Sequence, residues 1–503
     1  MVKELNVIKK HFRRGMIRVA LVYPNVYEVM SSSLFINLAY YLLNSYDHIL
    51  VERFFLKNSF GEEPFPRSIE SGTPLSDFDI ILFSVHYEPD YVNIVRILQA
   101  ANIEPLRNKR KGKMIIAGGP PVIANPEPLA EIADIIVIGE LESTYEKLIE
   151  FDKDSLKGSD GFYVTERGKN EFVKRSWVEN LDNTFYPVRQ IIPLDVEPVY
   201  GKSFLLETSR GCSRACRFCM EGHIFLPKRD RSLSSIKGIV STGLRVNNVN
   251  KVTILSLSYF DHPQSHEILT YLVDNEKVQI SVPSLRADSL DYEKIELIAK
   301  GGQKSLTIAP EVGSLKLGEM INKIIPRDTT IEIAKIAKML RFDHIKLYFM
   351  IGLPNETIDD IRSLIEYIKS INKIINTKVT ITPFIPKAHT PFQWIGMKPM
   401  DEIRTKLSLI RDQIKSIDYY DERWALIQAV FSLGDRSLGK ILIKWASYGG
   451  GLAGWRRSIR DYDISYVFKG RSLNDELPWS HIDLGFEKII TKSFEKFKSM
   501  NTM

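Results

Sequence analysis

Cys212, Cys216 and Cys219 are the only three cysteines among 503 residues, and all three fall in the run Cys212-Ser-Arg-Ala-Cys216-Arg-Phe-Cys219. Thiolates are soft ligands that suit zinc and iron–sulfur clusters. At C-x3-C-x2-C spacing they can hold three corners of a cubane and leave one iron without a protein ligand. An open position on a redox metal is where chemistry happens. The same count excludes structural disulfides and a second cysteine-ligated cluster built from this chain alone. The alternative is a zinc knuckle, with His223 four residues past Cys219 completing a Cys3His set. Three features stand against it. The apolar run Ser203-Phe-Leu-Leu-Glu207 before the loop reads as a strand. Gly211 gives the backbone freedom to wrap a cluster. The aromatic Phe218 directly precedes the last cysteine.

Cys212 to Cys219 resembles the C-x3-C-x-aromatic-C signature of the radical SAM superfamily. The resemblance implies a 4Fe–4S cluster on Cys212, Cys216 and Cys219, with S-adenosylmethionine chelating the fourth iron. It implies one-electron cleavage of the sulfonium to methionine and a 5′-deoxyadenosyl radical, which takes a hydrogen atom from a substrate. A low-potential electron donor such as ferredoxin or flavodoxin belongs to the same expectation.

The elements around the loop set the architecture. Residues 1–150 alternate strand and helix in a doubly wound, flavodoxin-like pattern. Apolar runs at 17–23, 49–56, 79–85, 114–117 and 134–138 read as strands. A serine-capped helix is expected over 31–45 and another from about Tyr91. Gly118, Gly119 and Gly139 fall at strand ends, as tight-turn glycines or as points of close approach for a ligand. Ala117-Gly-Gly-Pro-Pro and Ile138-Gly-Glu-Leu-Glu resemble the cobalamin-binding-like domain that precedes many radical SAM cores. The D-x-H-x-x-G motif that brings histidine to cobalt is absent. The resemblance thus implies cobalamin without that imidazole, or a fold that has lost the cofactor. His86 at another strand end reads as a polar rim residue. Residues 151–197 are a linker, with Gly161 to Thr165 and Asn170 to Lys174 read as a β-hairpin.

Residues 198–398 carry six apolar runs, at 203–207, 251–256, 278–282, 304–309, 344–350 and 378–384, mostly with helical patterns between them. That is a parallel βα sheet, and six units fit the partial (β/α)6 TIM-type barrel of radical SAM cores. Reactive groups in such barrels lie at the C-terminal strand ends. Ser256 and Ser258 stand where the superfamily often has a Gly-Gly-Glu-type motif for the methionine ammonium; the other reading is a polar turn. Arg286 is the candidate clamp for the methionine carboxylate. Glu311 resembles the residue that bonds the ribose hydroxyls; its alternative is a buried charge paired with a nearby base. Gly352 resembles the glycine that approaches adenine. Lys387 and His389 face substrate or form a solvated rim.

Residues 399–503 form an α-rich C-terminal region, with helices expected at 400–414, 422–431 and 436–445. The formal charge of +6 is weak and dispersed, so nucleic acid is not indicated. No membrane span is expected, and three clustered free thiols suit a reducing cytoplasm. The chain reads as a radical SAM enzyme with an unknown substrate and with cobalamin-dependent methylation or carbon–carbon bond formation in view. A methylthiotransferase-like RNA-modifying enzyme is a second reading, weakened by the missing extra cysteines. A non-catalytic iron–sulfur regulatory or RNA-binding protein is a third.

Overall fold

A computed structural model describes residues 2–170 and 172–500. Its first sheet contains β1 (Ile17–Tyr23), β2 (Ile49–Phe55), β3 (Ile80–Ser84), β4 (Met114–Gly118), β5 (Ile135–Val137) and β6 (Phe162–Val164). The spatial order is β2-β1-β3-β4-β5-β6, parallel except for antiparallel β6. These are runs of β-branched and aliphatic residues, and both faces are covered, as a parallel sheet requires. Val19 and Leu21 pack into a cluster with the helix Leu34–Asn44, while Ala20 and Val22 join the cluster containing Tyr91–Ala100. The chain reverses its winding direction between β1 and β3. Their C-terminal ends therefore form the crevice in which doubly wound sheets place ligands.

Two expectations fail in this region. The helix begins at Leu34, and its N-cap Ser33 makes no side-chain capping bond. The hairpin is absent: β6 pairs with β5, whereas Val173–Lys174 pairs in parallel with Ile482–Asp483 from the C-terminal region. Glu171, within the expected second arm, lies outside the described residues.

The barrel comprises β7 (Phe204–Glu207), β8 (Lys251–Leu255), β9 (Gln279–Ser281), β10 (Ser305–Glu311), β11 (His344–Ile351), β12 (Thr377–Pro383) and β13 (Ile417–Tyr419). Every pairing is parallel. The strands form a three-stranded and a four-stranded arc, linked by a parallel bridge between Leu285 and Ile308. The seventh strand comes from the region expected to be helical. Ile417-Asp-Tyr419 is too short, and too surrounded by charge, to stand out as a strand.

Apart from β13 and Ile482–Asp483, the C-terminal region is mainly helical, with Met400–Arg411, Glu422–Leu433, Leu438–Ser447 and Leu452–Ser458. It packs back onto the helix Tyr91–Ala100 that covers the first sheet. Tyr91 meets Phe431 edge-on with centroids 5.8 Å apart, and Phe431 stacks on fully buried Trp445 at 6.0 Å. The last helix, Glu487–Met500, sets Phe494 against Trp394 and Phe497 against Phe392. No helix among the described residues is long and apolar enough to cross a membrane.

Candidate functional site

The cysteine loop leaves the C-terminal end of β7 through Ser209–Arg210, a two-residue strand paired with Arg229–Asp230. Gly211 has φ of +83°, and a Cβ there would lie 2.4 Å from the Phe225 carbonyl oxygen, so the tight fold-back of the loop requires glycine. The loop is pinned from outside. The Arg217 N–H donates to Ile321 O at 2.9 Å, and its guanidinium donates to Glu319 O and Met320 O at 2.8 and 2.7 Å. Phe218 packs half-buried against the core. Cys219 caps the short helix Met220–Ile224, its sulfur accepting from Gly222 N at 3.4 Å.

All three thiols are free and half-buried. Burial pushes the Cys219 thiol up to about 12, and burial also raises Cys216, opposed by the Lys323 and Arg286 charges. Among the described residues, no three His, Cys, Asp or Glu side chains lie close enough to share one metal ion. The zinc knuckle therefore has no geometry behind it. His223 is buried, and its Nδ1 donates to the Cys219 carbonyl at 2.7 Å. Three free thiols on one loop are the donor set that a cubane with one open iron takes.

The polar groups expected at the strand ends mostly converge here, with partners of their own. Arg286 Nη1 lies 4.0 Å from Cys216 Sγ, while Nε and Nη2 grip Asp288 at 3.0 and 2.8 Å. Glu311, at φ of +70°, pairs with Lys323 at 2.8 Å. The paired-charge alternative thus describes Glu311 as it stands, and Lys323 is a site residue that the sequence reading missed. Asn322 beside it donates to Arg214 O and Ala215 O at 3.2 and 3.0 Å, which folds this loop under the cysteines. Ser258 donates to Asp261 at 2.7 Å, and Asp261 also takes Arg214 Nε at 2.7 Å. Ser256 is bound to Ser209 Oγ at 2.7 Å.

Gly352 stands apart. Its N–H donates to Glu356 at 2.7 Å, Glu356 is paired with Lys406 at 2.9 Å, and a Cβ at Gly352 would touch Ile403 at 3.4 Å. The glycine serves a turn packed on the Met400–Arg411 helix, and its N–H is already used. Lys387 pairs with Glu88, and His389 is buried with its N–H donating to Gln393, so neither is a solvated rim residue.

At the first sheet the glycines also have structural occupants. A Cβ on Gly119 would lie 1.8 Å from Val85 O, and one on Gly139 would lie 2.2 Å from Ser176 O. These two positions are filled by the chain's own backbone and offer no room to a nucleotide tail. Gly118 meets only Val137, at 3.7 Å. His86 remains exposed at the crevice. It bonds Ser84 at 3.0 Å and lies 5.5 Å from the Tyr23 ring.

Comparison with known proteins agrees with this geometry. The profile of the radical SAM superfamily matches residues 206–368, and that of the N-terminal region of radical SAM proteins matches 36–166. An uncharacterized protein of Methanocaldococcus jannaschii is 34% identical over 84% of this chain and 90% of its own length. This chain belongs to the radical SAM superfamily. It is an enzyme of that class, whose members work with a 4Fe–4S cluster and S-adenosylmethionine. An uncharacterized methyltransferase of Pyrococcus horikoshii is 25% identical over 58% of the chain and 67% of its own length. The solved cobalamin-dependent S-adenosylmethionine radical enzyme OxsB, with aqua-cobalamin and S-adenosylmethionine bound, aligns at a TM-score of 0.53. That alignment covers 86% of this chain and 68% of OxsB at 16% identity, a likeness of fold.

Proposed function

We propose that this enzyme holds its cluster on Cys212, Cys216 and Cys219 and methylates, or adds carbon to, a substrate seated in the barrel, with cobalamin as a second cofactor at the sheet crevice. One observation carries the reading: three free thiols on a loop at the C-terminal end of β7, with Arg286 4.0 Å from Cys216 and Lys323 folded beneath. Bound there, the cluster supplies the electron that splits S-adenosylmethionine into methionine and a 5′-deoxyadenosyl radical. The two cations offset the thiolate charge in a half-buried setting, where unpaired anions are costly. Arg286 and Glu311 bind the methionine carboxylate and the ribose by exchanging Asp288 and Lys323 for ligand. Ser258 and Asp261 stand ready for the ammonium, and Arg214 keeps Asp261 ionised.

For cobalamin, the crevice offers exposed His86 and Gly118, which has ordinary room, whereas Gly119 and Gly139 are filled by backbone. The methyltransferase relative supports a methylating enzyme, and the fold shared with OxsB, which binds cobalamin, supports the second cofactor. A low-potential donor such as ferredoxin or flavodoxin and a reducing cytoplasm complete the proposal.

Anaerobic reconstitution followed by reduction with dithionite tests the first cofactor. The reading requires 5′-deoxyadenosine to form from S-adenosylmethionine, and its absence from fully loaded protein rejects the reading. Titration with hydroxocobalamin tests the second. A chain that stays free of cobalamin at saturation removes methyl transfer from cobalt and leaves the radical reaction standing.

A further inference from the structure

The concave face of the four-stranded arc is polar, which is unusual for a barrel interior, where branched aliphatic side chains dominate. Burial alternates along β10, β11 and β12. Leu306, Ile308, Ile345, Leu347, Phe349, Val379 and Ile381 face the helices and are fully buried. The intervening positions face the lumen and stay accessible: Thr307, Lys346, Tyr348, Lys378, Thr380 and Thr382. Register places them in rows. Thr307, Lys346 and Lys378 are direct neighbours, Tyr348 and Thr380 form the next row, and Thr382 lies above them beside Met350.

Neighbouring strands lie about 4.8 Å apart, so the two lysines stand side by side. Like charges directly opposite one another repel. Among the described residues, no carboxylate forms an ion pair with Lys346 or Lys378, although most other lysines near the site have one. The facing groups are few. Asp418 lies one row up beside Thr380 and bridges to neither lysine, while Lys346 Nζ sits 5.0 Å from the Tyr348 ring centroid. His344, one row down, is held below its ordinary value by burial and then by Lys378, against Asp343, so it adds no positive charge to the pair near pH 7; Asp343 forms no ion pair with either lysine among the described residues. Hydroxyls surround the lysines and donate to the same kind of group that ammonium does.

We infer that Lys346 and Lys378, with the hydroxyls of Thr307 and Thr380, bind an anionic group of the substrate, either a carboxylate or a phosphate-type oxyanion. This rests on the barrel-seated substrate proposed above and names its chemical class. Thr307 and Glu311 are four residues apart on β10, so at ~3.3 Å per residue the lysine row lies roughly 13 Å below the strand end. A small polar molecule of that reach puts its charged end on the lysines and a carbon beneath the cysteine loop. Ammonium groups unpaired before binding suit this role, because no internal salt bridge has to be broken.

The test is calorimetric titration of the full, cluster-loaded chain at constant ionic strength with two probes, pyrophosphate and propane-1,2,3-tricarboxylate. The inference predicts saturable binding of at least one probe. Binding to pyrophosphate alone identifies a phosphate-type group, and binding to the tricarboxylate alone identifies a carboxylate. Lys346→Gln and Lys378→Gln should each weaken binding about tenfold or more, and Lys346→Arg should restore much of it. Cluster absorption reports that each variant is folded. No saturable binding of either probe to the wild type, or undiminished binding to the double glutamine variant, overturns the inference. Failure of the radical reading would appear separately, as wild-type protein that yields no 5′-deoxyadenosine.

Discussion

Arg210 Nη1 and Glu140 Oε2 form a buried ion pair at 2.8 Å that ties the cysteine loop to the first sheet. Arg210 stands two residues before Cys212, and Glu140 follows Gly139 just past β5. Arg229 joins the same carboxylate at 2.8 Å, and Arg210 also reaches Glu142 and Glu207. Breaking one partner of such a network strands a buried charge, which costs ~3–5 kcal/mol. Glu140→Ala should lower stability by that order in denaturant unfolding and should loosen iron retention. A variant as stable as the wild type would show that the loop is anchored elsewhere.

Glu311 and Arg286 are paired with Lys323 and Asp288, so the proposed binding of S-adenosylmethionine requires ligand to displace those partners. Losing a hydrogen bond to a charged group costs ~1.5–3 kcal/mol, about tenfold or more in affinity. Glu311→Ala and Arg286→Ala should each weaken S-adenosylmethionine binding by that factor in equilibrium dialysis of cluster-loaded protein. Unchanged affinity in both variants removes the assignment.

Asp90 supplies a pH-dependent term. Burial raises its carboxyl to about 7, against the hydrogen bonds from Asn25 and Asn93. With the folded value above the unfolded one, its contribution is full below about pH 4 and is lost as pH rises through 7. Asp90→Asn should therefore stabilise the protein relative to wild type at pH 8 by a few kcal/mol, and the advantage should shrink toward pH 5. An advantage independent of pH would place the ionised form elsewhere than Asp90.

Gly119→Ala separates fold from ligand. Gly119 has φ of +126° and no space for a Cβ, whereas Gly118 has ordinary room. Melting temperature should fall sharply for Gly119→Ala and little for Gly118→Ala, with cobalamin absent from both samples. Equal melting temperatures would contradict the packing described here.

Much of this was legible in the sequence for physical reasons. The cysteine spacing is a local property, and most strands of the first sheet and the barrel are apolar runs whose period or continuity survives without tertiary context. The pairing of Glu311 with Lys323 was not legible as a particular pair, because it depends on a loop folding under the cysteines. Gly119 and Gly139 read equally well as turn residues or as ligand contacts, and only the positions of Val85 and Ser176 decide. The partner of Val173–Lys174 lies some three hundred residues along the chain, so a local hairpin was the nearer reading. Strand β13 is three residues long and carries no apolar pattern of its own.

The most direct test of the central claim is metal and sulfide analysis of the anaerobically prepared chain beside its Cys212→Ala, Cys216→Ala and Cys219→Ala variants. A cubane on these thiols predicts about four irons and four sulfides per wild-type chain, with each variant losing the cluster and the ability to cleave S-adenosylmethionine. Stoichiometric zinc without iron or sulfide in the wild type, or a cluster that survives in all three variants, would contradict the account.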